Sequence, residues 1–151
     1  MVLPQLRDDQ RTILTHPART KVLCAGRRFG KTVLGGYMVA AYANEGGRVA
    51  WVAPTYKNSR PMWRWLEMVM FPLVGRGVQI SRVERHITFP SGGGVGVFSA
   101  DNPVGIRGEA FHLVVVDEAA RVSEETYQDA IRPTLADFDG DLMLISTPAG
   151  K

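Results

Sequence analysis

The segment that most constrains the fold runs from Lys21 to Asn44. A short apolar run, Lys21-Val22-Leu23-Cys24, passes through Ala25 into Gly26-Arg27-Arg28-Phe29-Gly30-Lys31-Thr32. Apolar residues then recur at helical spacing as Leu34, Met38, Ala41 and Tyr42 until Gly46-Gly47 stops them. This reads as strand, tight loop, helix. A strand feeding a helix in this way needs parallel partners beside it and helices over both sheet faces. The run 21–24 is therefore expected to be a strand buried on both faces. The single cysteine, Cys24, has no internal disulfide partner and reads as a small buried side chain.

The rest of the chain repeats the alternation. Leu6, Ile13 and Leu14 share one helical face before His16-Pro17 breaks the pattern, giving a short opening helix. Residues 48–53 form a second apolar strand ended by Pro54, and residues 59–74, rich in Met, Trp and Leu, suit a helix packed on a sheet. From about 78 to 100 the runs are short and alternating, separated by Pro90-Ser91-Gly92-Gly93-Gly94, which predicts a small antiparallel insertion. His112 to Val116 is the most apolar run and ends at Asp117-Glu118. A helix from 123 to 131 with Ser123 as its N-cap follows, then a strand over 141–146. The expectation is an α/β fold: one domain over 1–151, a mainly parallel sheet with flanking helices, and a ligand at the carboxyl ends of the strands. With 45% apolar and 22% charged residues and no apolar run near bilayer length, a membrane-spanning reading finds no support. The first residues lack a sustained apolar segment, so the expected location is cytoplasmic. A net charge of +3 is compatible with a polyanionic partner without requiring one.

The loop 26–32 has the chemistry of a phosphate cradle. Backbone N–H groups at a helix N-terminus and one lysine together supply the donors that β and γ phosphates need. Gly30 lets the backbone come close, Lys31 would reach the phosphate oxygens, and the Thr32 hydroxyl would ligate Mg²⁺. The usual spacing G-x-x-x-x-G-K-[S/T] asks for glycine at 25, where this chain has Ala25, so an ordinary glycine-bearing turn is the alternative. The acids Asp117 and Glu118, at the exit of a buried strand, weigh against it. In a phosphate-loop enzyme the first holds the Mg²⁺ shell and the second polarises water. Ser146 and Thr147 end the last strand with two hydroxyls beside the expected γ phosphate. Arg27, Arg28 and Arg107 are the candidates for neutralising charge on the transferred phosphoryl group, a solvated surface arginine or a phosphate-independent salt bridge being the alternative for any one of them.

Taken together, the arginine-bearing loop 26–32, Val52-Ala53-Pro54-Thr55-Tyr56, Gly105-Ile106-Arg107-Gly108, Val114-Val115-Val116-Asp117-Glu118-Ala119-Ala120 and Ile145-Ser146-Thr147-Pro148 resemble the ATPase domain of the large terminase subunit of tailed bacteriophages. A phosphate loop lacking the first glycine is typical of that family. The resemblance implies a RecA-like (ASCE) phosphate-loop NTPase core that hydrolyses ATP with Mg²⁺ to drive double-stranded DNA through a portal protein into a procapsid. It also implies a small terminase subunit as partner, a homo-oligomeric ring, commonly of five, and action in the host cytoplasm. By position, Gly26, Arg27, Arg28, Phe29, Gly30, Lys31 and Thr32 would bind nucleotide, Thr32 and Asp117 the metal, and Glu118 would be catalytic. Arg27 matches an arginine acting within its own subunit, and Arg107 one that reaches a neighbour's site in some members. Gln10 matches the glutamine that reads adenine, a solvated helix glutamine being the alternative. Ser146 and Thr147 match the coupling motif. Family members continue into a lid subdomain and a nuclease domain, so 1–151 corresponds to the ATPase part alone. A DExx-box helicase-like translocase and a nucleotide-binding module without turnover are the competing readings. Lys57, Arg60 and Arg64 near Trp63 and Trp65 allow DNA binding, with the basic rim of a partly buried amphipathic helix the favoured reading.

Overall fold

The computed structural model describes residues 3–148. Its elements are α1 (Asp8–Thr15), β1 (Thr20–Cys24), α2 (Lys31–Asn44), β2 (Arg48–Ala53), α3 (Tyr56–Met70), β3 (Gln79–Ser81), β4 (His86–Thr88), β5 (Gly94–Ser99), β6 (Leu113–Val116), the single turn α4 (Glu124–Thr126) and β7 (Asp141–Ser146). Seven strands make one sheet in the order β1-β7-β6-β2-β5-β4-β3. The first five in that order run parallel, and β4 and β3 run antiparallel to their neighbours. The antiparallel part expected over about 78–100 is thus a β3-β4-β5 meander. Its last strand also pairs parallel with β2 and belongs to the main sheet, because Val95 and Val97 continue the buried face.

One sheet face presents Val49, Trp51, Val95, Val97, Leu113, Val115, Met143 and Ile145 to α2 and α3. Leu34 and Leu66, fully buried in this layer, contribute about 1.5–3 kcal/mol each. Two helix glycines make room for the indoles: a Cβ at Gly35 would meet Trp51 at 2.5 Å, and one at Gly36 would meet Trp65 at 2.6 Å. The opposite face carries Ala50, Val52, Val114, Val116 and Leu142 under Ile106, Phe111 and Ile131.

Three expectations are corrected. The strand expected over 21–24 is not buried on both faces; β1 pairs only with β7 among the described strands, leaving Val22 71% exposed and the Cys24 thiol exposed rather than buried. The helix expected from 59 begins at Tyr56, because the Thr55 side chain accepts from Asn58 N–H and caps it, and Pro61 falls early enough to be carried inside. The helix expected over 123–131 starts at Ser123 as foreseen, then widens into a π-helix over Tyr127–Ile131 and tightens to a 3-10 turn over Arg132–Leu135. No helix of the described residues is long and apolar enough to cross a membrane.

Candidate active site

The carboxyl ends of β1, β7 and β6, three adjacent strands, bring most of the candidate residues to one edge. After β1 the chain turns through Arg27–Phe29 as one 3-10 turn, and the Phe29 N–H donates to the Gly26 carbonyl at 3.1 Å. Gly30 then takes φ +86°, a left-handed conformation that reverses the backbone into α2. Lys31, 8% exposed, folds its ammonium against the loop's own backbone, donating to the carbonyls of Ala25 and Gly26 (2.9 Å for the second). Thr32 is exposed on the first turn of α2. Arg27 and Arg28 are exposed and make no ion pair among the described residues.

Helix α1 holds the crest of this loop. Gln10, 4% exposed, accepts the Arg7 N–H through Oε1 at 3.0 Å and donates Nε2 to the Phe29 carbonyl at 3.0 Å. The Arg7 Nη2 donates to the same carbonyl at 2.8 Å, with its guanidinium 5.3 Å from the Phe29 ring centre. A Cβ at Gly30 would lie 2.7 Å from the Gln10 Nε2. Both polar ends of Gln10 are therefore occupied by backbone, one of them by the phosphate loop itself. Arg7 escaped the sequence reading, because its hydrogen bond to the Phe29 carbonyl spans 22 residues and no local motif announces it.

At the end of β6, Asp117 is drawn in by its N–H bond to the Val52 carbonyl at 2.8 Å, and its Oδ1 accepts the Glu118 N–H at 3.0 Å. Burial, with a smaller push from the Glu118 carboxylate, raises its pKa from 3.8 to about 6 against the opposing effects of the Glu118 N–H and Lys31. Glu118 itself sits at φ 45°, ψ 50°, in the left-handed region that a non-glycine residue enters at about 1–2 kcal/mol. Its Oε1 accepts the Thr147 hydroxyl at 3.0 Å, a link across 29 residues that no local motif announces. Ser146 joins β7 to the loop by accepting the Ala25 N–H at 3.1 Å.

Arg107 stands apart. It is exposed in the β5–β6 connection, whose Ile106 packs over β2 and β6, and it makes no ion pair among the described residues. Among the described residues no three His, Cys, Asp or Glu side chains converge as a metal site. The oxygen donors Thr32 and Asp117 suit a hard cation such as Mg²⁺, whose remaining ligands would be phosphate oxygens and water.

A mainly parallel sheet with helices on both faces, a glycine-turned loop after β1 and an acidic exit after β6 define a RecA-like phosphate-loop α/β fold. Residues 22–151 match the family described as Terminase large subunit, T4likevirus-type, N-terminal. The chain belongs to that family. It is 30% identical over 161 residues to the large terminase subunit of Thermus phage G20c, an alignment covering 93% of this chain and 33% of the relative. The chain thus spans about a third of the length of the curated relatives it matches. Among solved structures it resembles the large terminase ATPase domain of Thermus phage P74-26, with a TM-score of 0.81 and 28% identity over 97% of this chain and 66% of that one. A large terminase from a thermophilic bacteriophage, solved in complex with ADP, shares the fold, with a TM-score of 0.68 and 19% identity over 95% of this chain and 39% of that one.

Proposed function

We propose that residues 1–151 are the ATPase domain of a large terminase, which hydrolyses ATP to drive double-stranded DNA into a viral procapsid. The observation that carries this reading is the convergence of buried Lys31, Asp117 and the Glu118–Thr147 pair on adjacent strand ends. The P74-26 relative is an ATPase domain and the thermophilic-phage relative holds ADP, and both support a nucleotide here. Family membership favours this reading over a DExx-box helicase.

The loop amides from Arg27 to Thr32, led by the Gly30 turn, would cradle the phosphates, and Lys31 would exchange its carbonyl partners for phosphate oxygens. Thr32 and Asp117 would hold Mg²⁺, which when bound neutralises charge across the β and γ phosphates. Coordination favours ionised Asp117 and so opposes the burial that raises its pKa. Glu118, with Oε1 taken by Thr147, would present Oε2 to the attacking water. Thr147 then acts on Glu118 rather than on nucleotide. Gln10 would hold the loop crest through Phe29, with adenine recognition limited to whatever hydrogen-bonding capacity its carboxamide retains. Arg27, on the loop, is suited to its own site. Arg107, exposed in the β5–β6 connection and unpaired among the described residues, is free to serve a neighbour's site, as in a ring. A portal protein, a small terminase subunit and the host cytoplasm belong to the same proposal.

The test is ATP turnover against protein concentration, with and without DNA, for wild type, Arg107→Ala, Glu118→Gln and an equal mixture of the two variants. Each variant alone should be nearly inactive, and the mixture should regain turnover because a Glu118→Gln subunit still donates Arg107. Strictly linear wild-type rates with no recovery in the mixture would refute the shared site. Analogue binding without any phosphate release would favour a binding module.

A further inference from the structure

Outside the candidate active site, the strongest concentration of unpaired charge lies at the start of α3. Lys57, Arg60 and Arg64 are exposed and fall within about 60° of one another around the helix, along about 10 Å of its axis. A fourth cation comes from the β3–β4 turn: the Arg85 guanidinium lies 3.8 Å from the Tyr56 ring centre and donates to the Ser59 hydroxyl. Arg60 faces the same ring at 5.6 Å, and Tyr56 is 55% exposed between them. Arg85 adopts φ 51°, and its carbonyl is held by the Val97 N–H at 3.0 Å, which fixes the turn that aims it. None of these four cations meets a carboxylate within 4 Å among the described residues. The nearby Glu67 is engaged by Arg82 at 2.6 Å. The aromatic members differ from those the sequence suggested, since Trp63 is 6% exposed and packs in the core while Tyr56 faces out.

We propose that Lys57, Arg60, Arg64 and Arg85, with Tyr56, form a surface that grips the phosphate backbone of double-stranded DNA without reading its sequence. Four unneutralised cations so close together repel one another, and a duplex, with one negative charge per about 1.7 Å of axis, relieves that repulsion along its length. Arg60 and Arg85 are held by the Tyr56 ring, so less side-chain freedom is lost on contact. Thr55, the cap of α3, follows β2 at the sheet's carboxyl edge, the same edge as the phosphate loop. This inference rests on the packaging reading and adds to it the surface that meets DNA.

The experiment measures binding of a fluorescein-labelled random-sequence duplex to the 151-residue chain between about 50 and 200 mM salt. Wild type is compared with Arg60→Gln/Arg64→Gln and with Arg11→Gln/Arg132→Gln, which removes the same charge from other exposed positions. The first pair should flatten the log-log salt slope by about 1.8, at about 0.9 per lost phosphate contact, and the second should leave it near wild type. Equal flattening by both pairs, or none by the first, overturns the surface. Loss of concentration-dependent self-association with an unchanged DNA slope overturns it in favour of a second copy, whose exposed Glu124, Glu125 and Asp129 would be the complement. ATP turnover without DNA, measured on the same preparations, separates the two readings. Turnover with an unchanged slope removes only the surface, and a flattened slope without turnover removes only the ATPase.

Discussion

Asp117→Asn should make the metal-free protein more stable at neutral pH and, on the proposed mechanism, remove one of the ligands offered to Mg²⁺. In the folded chain the carboxyl titrates near 6 rather than 3.8, chiefly because burial disfavours its charge. The folded state therefore binds more protons than the unfolded state between about pH 4 and 6, and stability falls as pH rises through that window. A gap of about two pH units corresponds to about 3 kcal/mol at neutral pH, an upper figure because the side chain is only partly shielded from water. Asparagine retains the oxygen that accepts the Glu118 N–H and removes the buried charge. Thermal unfolding in a chelator should show the variant matching wild type near pH 4 and gaining up to about 6–12 °C above pH 7, at roughly 2–4 °C per kcal/mol. A difference that is flat with pH, or a less stable variant at pH 8, would refute the claim that ionised Asp117 is strained in the metal-free fold.

Two further substitutions separate positioning from binding. Thr147→Val keeps the shape but removes the hydroxyl donated to Glu118, so kcat should fall about tenfold or more with KM for ATP little changed, and Thr147→Ser should restore most of it. A change confined to KM would instead assign Thr147 to the nucleotide. Gln10→Ala strips one of two donors from the Phe29 carbonyl and should lower stability by about 1–3 kcal/mol in chemical denaturation while weakening binding of an ATP analogue; unchanged binding would separate α1 from the loop.

The placement of loop 26–32 between a strand and a helix, and of Asp117-Glu118 at a strand exit, was legible in the sequence because glycines and charge interrupt apolar runs there. The parallel sheet was legible from the alternation of apolar runs. What escaped depended on pairing between distant segments. Val22-Leu23-Cys24 reads as an interior strand, yet strand order places β1 at an edge of the described sheet, and no local pattern encodes that order. Trp63 and Trp65 look like exposed partners for Arg64 until the helix phase, set by the Thr55 cap, turns Trp63 into the core and leaves Tyr56 outside. The Thr147–Glu118 hydrogen bond joins two strand ends whose adjacency appears only once β6 and β7 pair.

Glu118→Gln tests the central claim most directly, by comparing phosphate release from ATP with binding of a non-hydrolysable analogue in the same preparations. Turnover is expected to fall by about 10² or more, because the amide cannot take up the water's proton, while analogue affinity stays within about twofold. Wild-type turnover retained in Glu118→Gln, with binding intact, would contradict the assignment of Glu118 as the group that activates water.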